Sequence, residues 1–174
     1  FVIARHLVNR GHEVEIDLYG DPATLADDAA INYTIAQRMK IPIHPLGGTG
    51  RIKAAARRWQ SCRILVDALL GTGFAGEVRE PLSTIIHQIN NLKGPLVVAV
   101  DVPSGLHADT GKPGGVAVRA QHTVTFSGMK KGFLHQAART YTGRITVADI
   151  GAPTEMIIQR LHRRSLPTKP GDRA

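Results

Sequence analysis

Apolar and polar positions alternate along this chain with two periods. In "HEVEIDLYG", Val14, Ile16 and Leu18 alternate with Glu13, Glu15 and Asp17, which predicts a strand with one polar face. In "PLSTIIHQINNLKG", Leu82, Ile85, Ile86, Ile89 and Leu92 share one helical face, Pro81 suits the first turn, and Lys93 and Gly94 mark the stop. The same reading makes "FVIARHLVNRG" a helix closed by Gly11, and "DPATLADDAAINYTIAQRMK" a helix with Asp21 as N-cap and Pro22 at its first position. "IPIHP" is a short strand; Gly47, Gly48 and Gly50 form a loop before a basic helix. "RILVDALL" holds a buried strand ending near Asp67, and "PLVVAV", the most apolar segment, is expected at the sheet centre. "HTVTF" and "GRITVADIG" add two strands, and "PTEMIIQRLHRR" a closing helix.

Strands alternating with helices predict a mainly parallel sheet covered on both faces. The first helical pattern starts at Phe1 with no N-cap before it, so the chain is expected to be a fragment truncated at its N-terminus. From about Ser165 onward, Pro, Lys, Gly and Asp without periodicity predict a linker or tail.

Composition narrows the function classes. The 174 residues suffice for one domain, with 43% hydrophobic and 21% charged residues. No apolar run approaches the roughly 20 residues of a membrane span. The single cysteine, Cys62, rules out an internal disulfide, reads as a small core hydrophobe, and fits a reducing, cytoplasmic setting. The net charge of +8 raises nucleic-acid binding. Yet in "RIKAAARRWQSCR" Ile52, Ala55, Ala56 and Trp59 share a face and leave the arginines outside, as on an ordinary solvated helix. No nucleic-acid partner is therefore expected; the basic surface suits an anionic, phosphate-bearing small molecule.

Candidate chemistry lies where strands end. Ligands of open parallel sheets bind at the carboxyl ends of the strands. "ILVDALLGTGFAGE" and "VVAVDVPSG" place Asp67 and Asp101 there, each followed by a Gly-rich or Pro-Ser-Gly loop. Either aspartate alone could cap a turn; together they predict a crevice site. "GTGFAG" matches G-x-G-x-x-G, but Ala68, Leu69 and Leu70 separate it from the strand and no helix opens on it. It reads as a loop whose N–H groups approach an anion. The histidines lack metal-ligand spacing; His107, in the loop after Asp101, is a candidate for substrate contact. A nicotinamide-dependent dehydrogenase and a basic, non-catalytic binding module are the alternatives.

Taken together, "VDALLGTGFAGEVREP", "VAVDVPSGLHADTG", "VTFSGMKKGF" and "GRITVADIGAP" resemble the NAD(P)H-hydrate epimerase family, the N-terminal domain type of YjeF-like proteins. The resemblance implies a Rossmann-like three-layer αβα sandwich and an isomerase that interconverts the R and S forms of hydrated NADH and NADPH. It implies a potassium ion held by Asp67 and Ser104. Gly71, Thr72, Gly73, Phe74, Ala75, Gly76 and Glu77 would line the substrate, and Asp101 would contact it as the catalytic acid or base. Residues 1–164 would form the partial epimerase domain. Residues 165–174 would be a linker or tail leading to a covalently linked dehydratase domain, as in bifunctional relatives. A homo-oligomer is left open.

The chain departs from the family's pattern at two places. The family's GNNGGDG-like loop, which would stand immediately before Phe1, is not in this sequence, and no lysine stands near Ala75. That leaves the acid partner of Asp101 unassigned, with Lys130 of "SGMKKGF" as a candidate.

Overall fold

The computed structural model describes residues 1–25 and 27–151. Among the described residues six strands and five α-helices follow one another, all but the short α5 as the patterning predicts. They are α1 (Val2–Val8), β1 (Ile16–Leu18), α2 (Asp27–Arg38), β2 (Ile43–Pro45), α3 (Thr49–Trp59), β3 (Ile64–Asp67), α4 (Leu82–Asn90), β4 (Leu96–Val100), β5 (His122–Phe126), α5 (Arg139–Thr142) and β6 (Arg144–Ala148). The helix expected within "PTEMIIQRLHRR" and the tail at 165–174 lie outside the described residues. Among the described residues no helix is long and apolar enough to cross a membrane.

Among the described residues every pairing between these six strands is parallel. The strands form two groups: β1 pairs with β2, and β3, β4, β5 and β6 form a four-stranded sheet in that order. "PLVVAV" is internal to that sheet, as its apolar character predicts. Val97 and Ala99 of β4 point into a core with Ile52, Ala55 and Trp59 of α3 and Ile85, Ile86 and Ile89 of α4. The helical periods of α3 and α4 thus bury the faces expected of them. Ala4, Ala36 and Ile41 form a smaller core under α1 and α2.

A cleft of about 1540 Å³ separates the two groups of strands. Ile16 and Leu18 of β1 line one side and Ile64 and Val66 of β3 the other. Asp17 fastens α3 to β1 at one end of the cleft: Trp59 Nε1 donates to its Oδ2 at 2.8 Å, and Arg58 pairs with its Oδ1.

Some local expectations shift. Asp21 does cap, through a bond from the Ala23 N–H at 2.9 Å, but it caps a short 3-10 turn at Pro22–Thr24, and α2 starts later. Gly50 lies inside α3. The first strand begins at Ile16, leaving Val14 outside it.

Candidate active site

β3 and β4 end side by side, with Asp67 opposite Ala99. Asp67 is buried to 2% exposure. Ser104, in the loop after β4, answers it twice: its N–H donates to Oδ2 at 2.8 Å and its hydroxyl to Oδ1 at 2.6 Å. The Leu69 N–H adds a longer contact to Oδ1. The Ser104 hydroxyl also accepts from the Leu70 N–H at 2.9 Å and lies 3.4 Å from the Leu70 carbonyl oxygen. Burial pushes the Asp67 carboxyl above the usual range, against the opposing pull of the Ser104 and Leu69 donors. Among the described residues no cationic side chain pairs with it. Carboxylate, hydroxyl and carbonyl oxygens are therefore gathered around a buried acidic group whose charge has no counter-ion.

Asp101 comes one residue past the end of β4, at a sharp turn. The Val102 N–H donates to the Val100 carbonyl at 2.8 Å, a three-residue γ-turn, and Asp101 at its centre has φ +66°. A non-glycine residue held there stores local strain of the kind that gathers at functional sites. The turn throws the side chain toward β5. Thr125 Oγ1 donates to Asp101 Oδ1 at 3.0 Å, and the Phe126 N–H at 3.2 Å. Lys130 Nζ reaches the same oxygen at 2.8 Å. Burial opposes the charged form of Asp101, but the Lys130 ammonium and the Phe126 and Thr125 donors outweigh it and hold the carboxyl below its ordinary value. The two strand-end carboxylates are thus pushed in opposite directions. Asp67 borders the large cleft; Asp101 does not.

The 71–77 segment, which contains Thr72 and Ala75, is a loop, and α4 begins only at Leu82. The glycine pattern therefore opens no helix, and the dinucleotide fingerprint of a dehydrogenase is not formed. The loop is fastened to the segment after Asp101. His107 Nε2 donates to the Gly76 carbonyl at 2.9 Å, and its ring lies 5.0 Å from that of Phe74. The Val78 N–H, just past Glu77, donates to the Gly114 carbonyl at 2.8 Å. Gly114 is packed so closely that a Cβ there would stand 2.3 Å from the Gly76 carbonyl oxygen. His107, a candidate for substrate contact, holds the loop in place through this bond.

The structure therefore joins Asp67 with Ser104, and the 71–77 loop with the 105–115 loop. It also brings in groups that the periodicity does not announce: Thr125, the Phe126 N–H and the Leu70 backbone. Their only sequence signal is position, at or just beyond the carboxyl end of a parallel strand.

These features define a Rossmann-like α/β domain whose parallel strands β3 and β4 deliver two hydrogen-bonded carboxylates at their carboxyl ends. A sequence profile of the family described as "YjeF-related protein N-terminus" matches residues 1–132, and the chain belongs to that family. It is 40% identical over 157 residues to a Pirellula staleyi protein named NAD(P)H-hydrate epimerase, covering 90% of this chain and 69% of that protein. It is 39% identical over 166 residues to the bifunctional NAD(P)H-hydrate repair enzyme Nnr of Moorella thermoacetica, covering 95% of this chain and 31% of that protein. The chain thus spans under a third of the bifunctional relative. The crystal structure of yeast ynu0 superposes with a TM-score of 0.62 at 20% identity, over 85% of this chain and 58% of the yeast chain, which shows the shared fold.

Proposed function

We propose that this chain is the epimerase domain of a nicotinamide-cofactor repair enzyme, interconverting the R and S forms of hydrated NADH and NADPH. The observation that carries the reading is Asp101: an ionised carboxylate at a strained strand end, bonded through one oxygen while no described residue bonds the other, on a chain of this family. The glycine-containing 71–77 loop, fastened by His107 to the segment after Asp101, supports a role for it in seating the dinucleotide.

The hydrate carries its hydroxyl at nicotinamide C6, next to the ring nitrogen. As the nitrogen lone pair forms a C6–N double bond, the C6–O bond breaks, and the hydroxyl takes a proton from water in the crevice and leaves as water. Water then adds to the opposite face, the double bond returns its electrons to nitrogen, and one proton is given up. Nothing is oxidised or reduced. Asp101 Oδ2 accepts the proton of the returning water and passes it to the hydroxide left when the first water gave up its proton, so that the carboxylate and that water are both restored.

Asp67, Ser104 and the Leu70 carbonyl suit a potassium ion, since a buried carboxylate without a counter-ion stands beside two further oxygens. Bound there, the ion would supply the positive charge that the Asp67 site lacks. The domain would occupy residues 1–164, with 165–174 leading to a dehydratase domain, in a cytoplasmic protein.

The test uses the full-length parent protein and one purified epimer of hydrated NADPH, followed by chromatography. Both epimers should approach equilibrium far faster than in buffer. A rate equal to the buffer rate overturns the reading.

A further inference from the structure

We propose that Lys130 is the positioning partner of Asp101, loading one carboxylate oxygen so that the other is the single oxygen presented to substrate. The chemistry rests on the epimerase reading; the geometry does not.

β4 and β5 end alike. After β5 the Gly128 N–H donates to the Phe126 carbonyl at 2.7 Å across Ser127, whose φ is +60°. This repeats the γ-turn at Asp101. The Asp101 N–H donates to the Val124 carbonyl at 2.8 Å, which ties the first turn to β5, the strand that leads into the second. The second turn reverses the chain and brings Lys130 back over the strand end. There its Nζ donates to the Phe126 carbonyl at 3.0 Å and to Asp101 Oδ1 at 2.8 Å. Two of the three ammonium protons are thereby committed, and the side chain is fixed at both ends of its reach.

The carboxylate is loaded unevenly. Lys130, Thr125 and the Phe126 N–H all address Oδ1, and among the described residues none bonds Oδ2. Both side chains are only 20% exposed, so this is not a solvated surface pair. Among the described residues the neighbouring strand ends supply no competing cation. β3 ends in Asp67, which is held by Ser104, and β6 runs into Asp149, whose Oδ1 takes the Gly151 N–H. A carboxylate free to rotate would offer either oxygen; one pinned through Oδ1 offers Oδ2 in a fixed direction.

The test compares Lys130→Met and Lys130→Arg with the parent by two readouts. The first is the carboxyl ¹³C titration of Asp101 in this chain. Lys130→Met should move it upward by about one pH unit, and Lys130→Arg should keep it near the parent. The second is the pH profile of kcat in the full-length protein. Its acidic limb should move upward with the titration in Lys130→Met, with kcat falling more than KM rises, and Lys130→Arg should restore both. Thr125→Val, which removes a neutral donor from the same oxygen, should shift the titration in the same direction by less, and serves if Lys130→Met does not fold. An Asp101 titration unmoved by loss of its partner overturns the proposal. A titration that moves in a parent lacking epimerase activity supports the pairing and overturns the epimerase reading instead.

Discussion

Ser104 holds Asp67 by both carboxylate oxygens, the N–H on Oδ2 at 2.8 Å and the hydroxyl on Oδ1 at 2.6 Å. The same hydroxyl receives the Leu70 N–H, so one small, buried side chain joins β3 and its following loop to the loop after β4. Ser104→Ala removes a donor from a buried carboxylate and an acceptor from a backbone N–H. It should cost about 1–3 kcal/mol in urea unfolding. A loss within about 0.5 kcal/mol, as at an ordinary surface position, would contradict this account.

Potassium should act through the same place. In potassium chloride the melting temperature should exceed that in tetramethylammonium chloride of equal ionic strength, because binding to the folded state stabilises it. The difference should vanish in Ser104→Ala. Scanning calorimetry of both proteins in both salts decides it, and equal melting points for the parent sink the ion site.

Asp101→Asn preserves shape and removes the charge and the proton acceptor. Epimerisation by the full-length protein should fall by about two orders of magnitude or more. Activity within a few-fold of the parent removes Asp101 from the chemistry.

The two carboxylates should give opposite pH signatures. The folded-state value of Asp67 is raised, so its contribution to stability is fully present below the ordinary unfolded value of about 4 and is lost as pH rises through the raised value. That of Asp101 is lowered, so its contribution is present above about 4 and is lost as pH falls through the depressed value. Relative to the parent, Asp67→Asn should gain stability as pH rises, and the deficit of Asp101→Asn should shrink as pH falls. Urea midpoints across the acid range, in potassium-free buffer so that no cation offsets the burial of Asp67, test both signs; parallel curves for either variant refute the corresponding shift.

Gly114→Ala tests the fastening of the 71–77 loop and the substrate role proposed for it. Its Cβ would stand 2.3 Å from the Gly76 carbonyl oxygen and 2.7 Å from the Phe74 ring, so the 71–77 loop must move. A cost of about 1–3 kcal/mol is expected from such overpacking. The kinetic mark should be a raised KM with a smaller change in kcat. An unchanged KM would mean that this loop does not seat the substrate.

Much of this arrangement is legible in the chain, because it depends on local patterns. Ile85, Ile86 and Ile89 announce the buried face of α4, and "PLVVAV" its internal strand. Asp67 and Asp101 could be placed at strand ends because a run of apolar residues stops at each. The unread parts depend on distance along the sequence. Nothing local to Ser104 says that both its donors will meet Asp67, 37 residues away. The pairing of β1 with β2 is equally invisible, since alternation predicts a strand but not its neighbour. Asp21 was recognisable as a cap, while the turn it caps was not, because Pro22 suits a 3-10 turn as well as an α-helix. The short α5 has too few residues to show a period.

The order of the four-stranded sheet has a consequence for how the molecule breathes. β4 and β5 each have a strand on both sides. Their backbone hydrogens should be among the slowest in the protein to exchange with solvent. Asp101 follows β4 and is bonded to β5, so its placement lasts as long as that pair of strands does. Asp67 ends β3, and Ser104 ties it to the loop after β4. A local opening that releases β3 and leaves β4 and β5 paired would therefore free Asp67 from Ser104 while Asp101 keeps its partners.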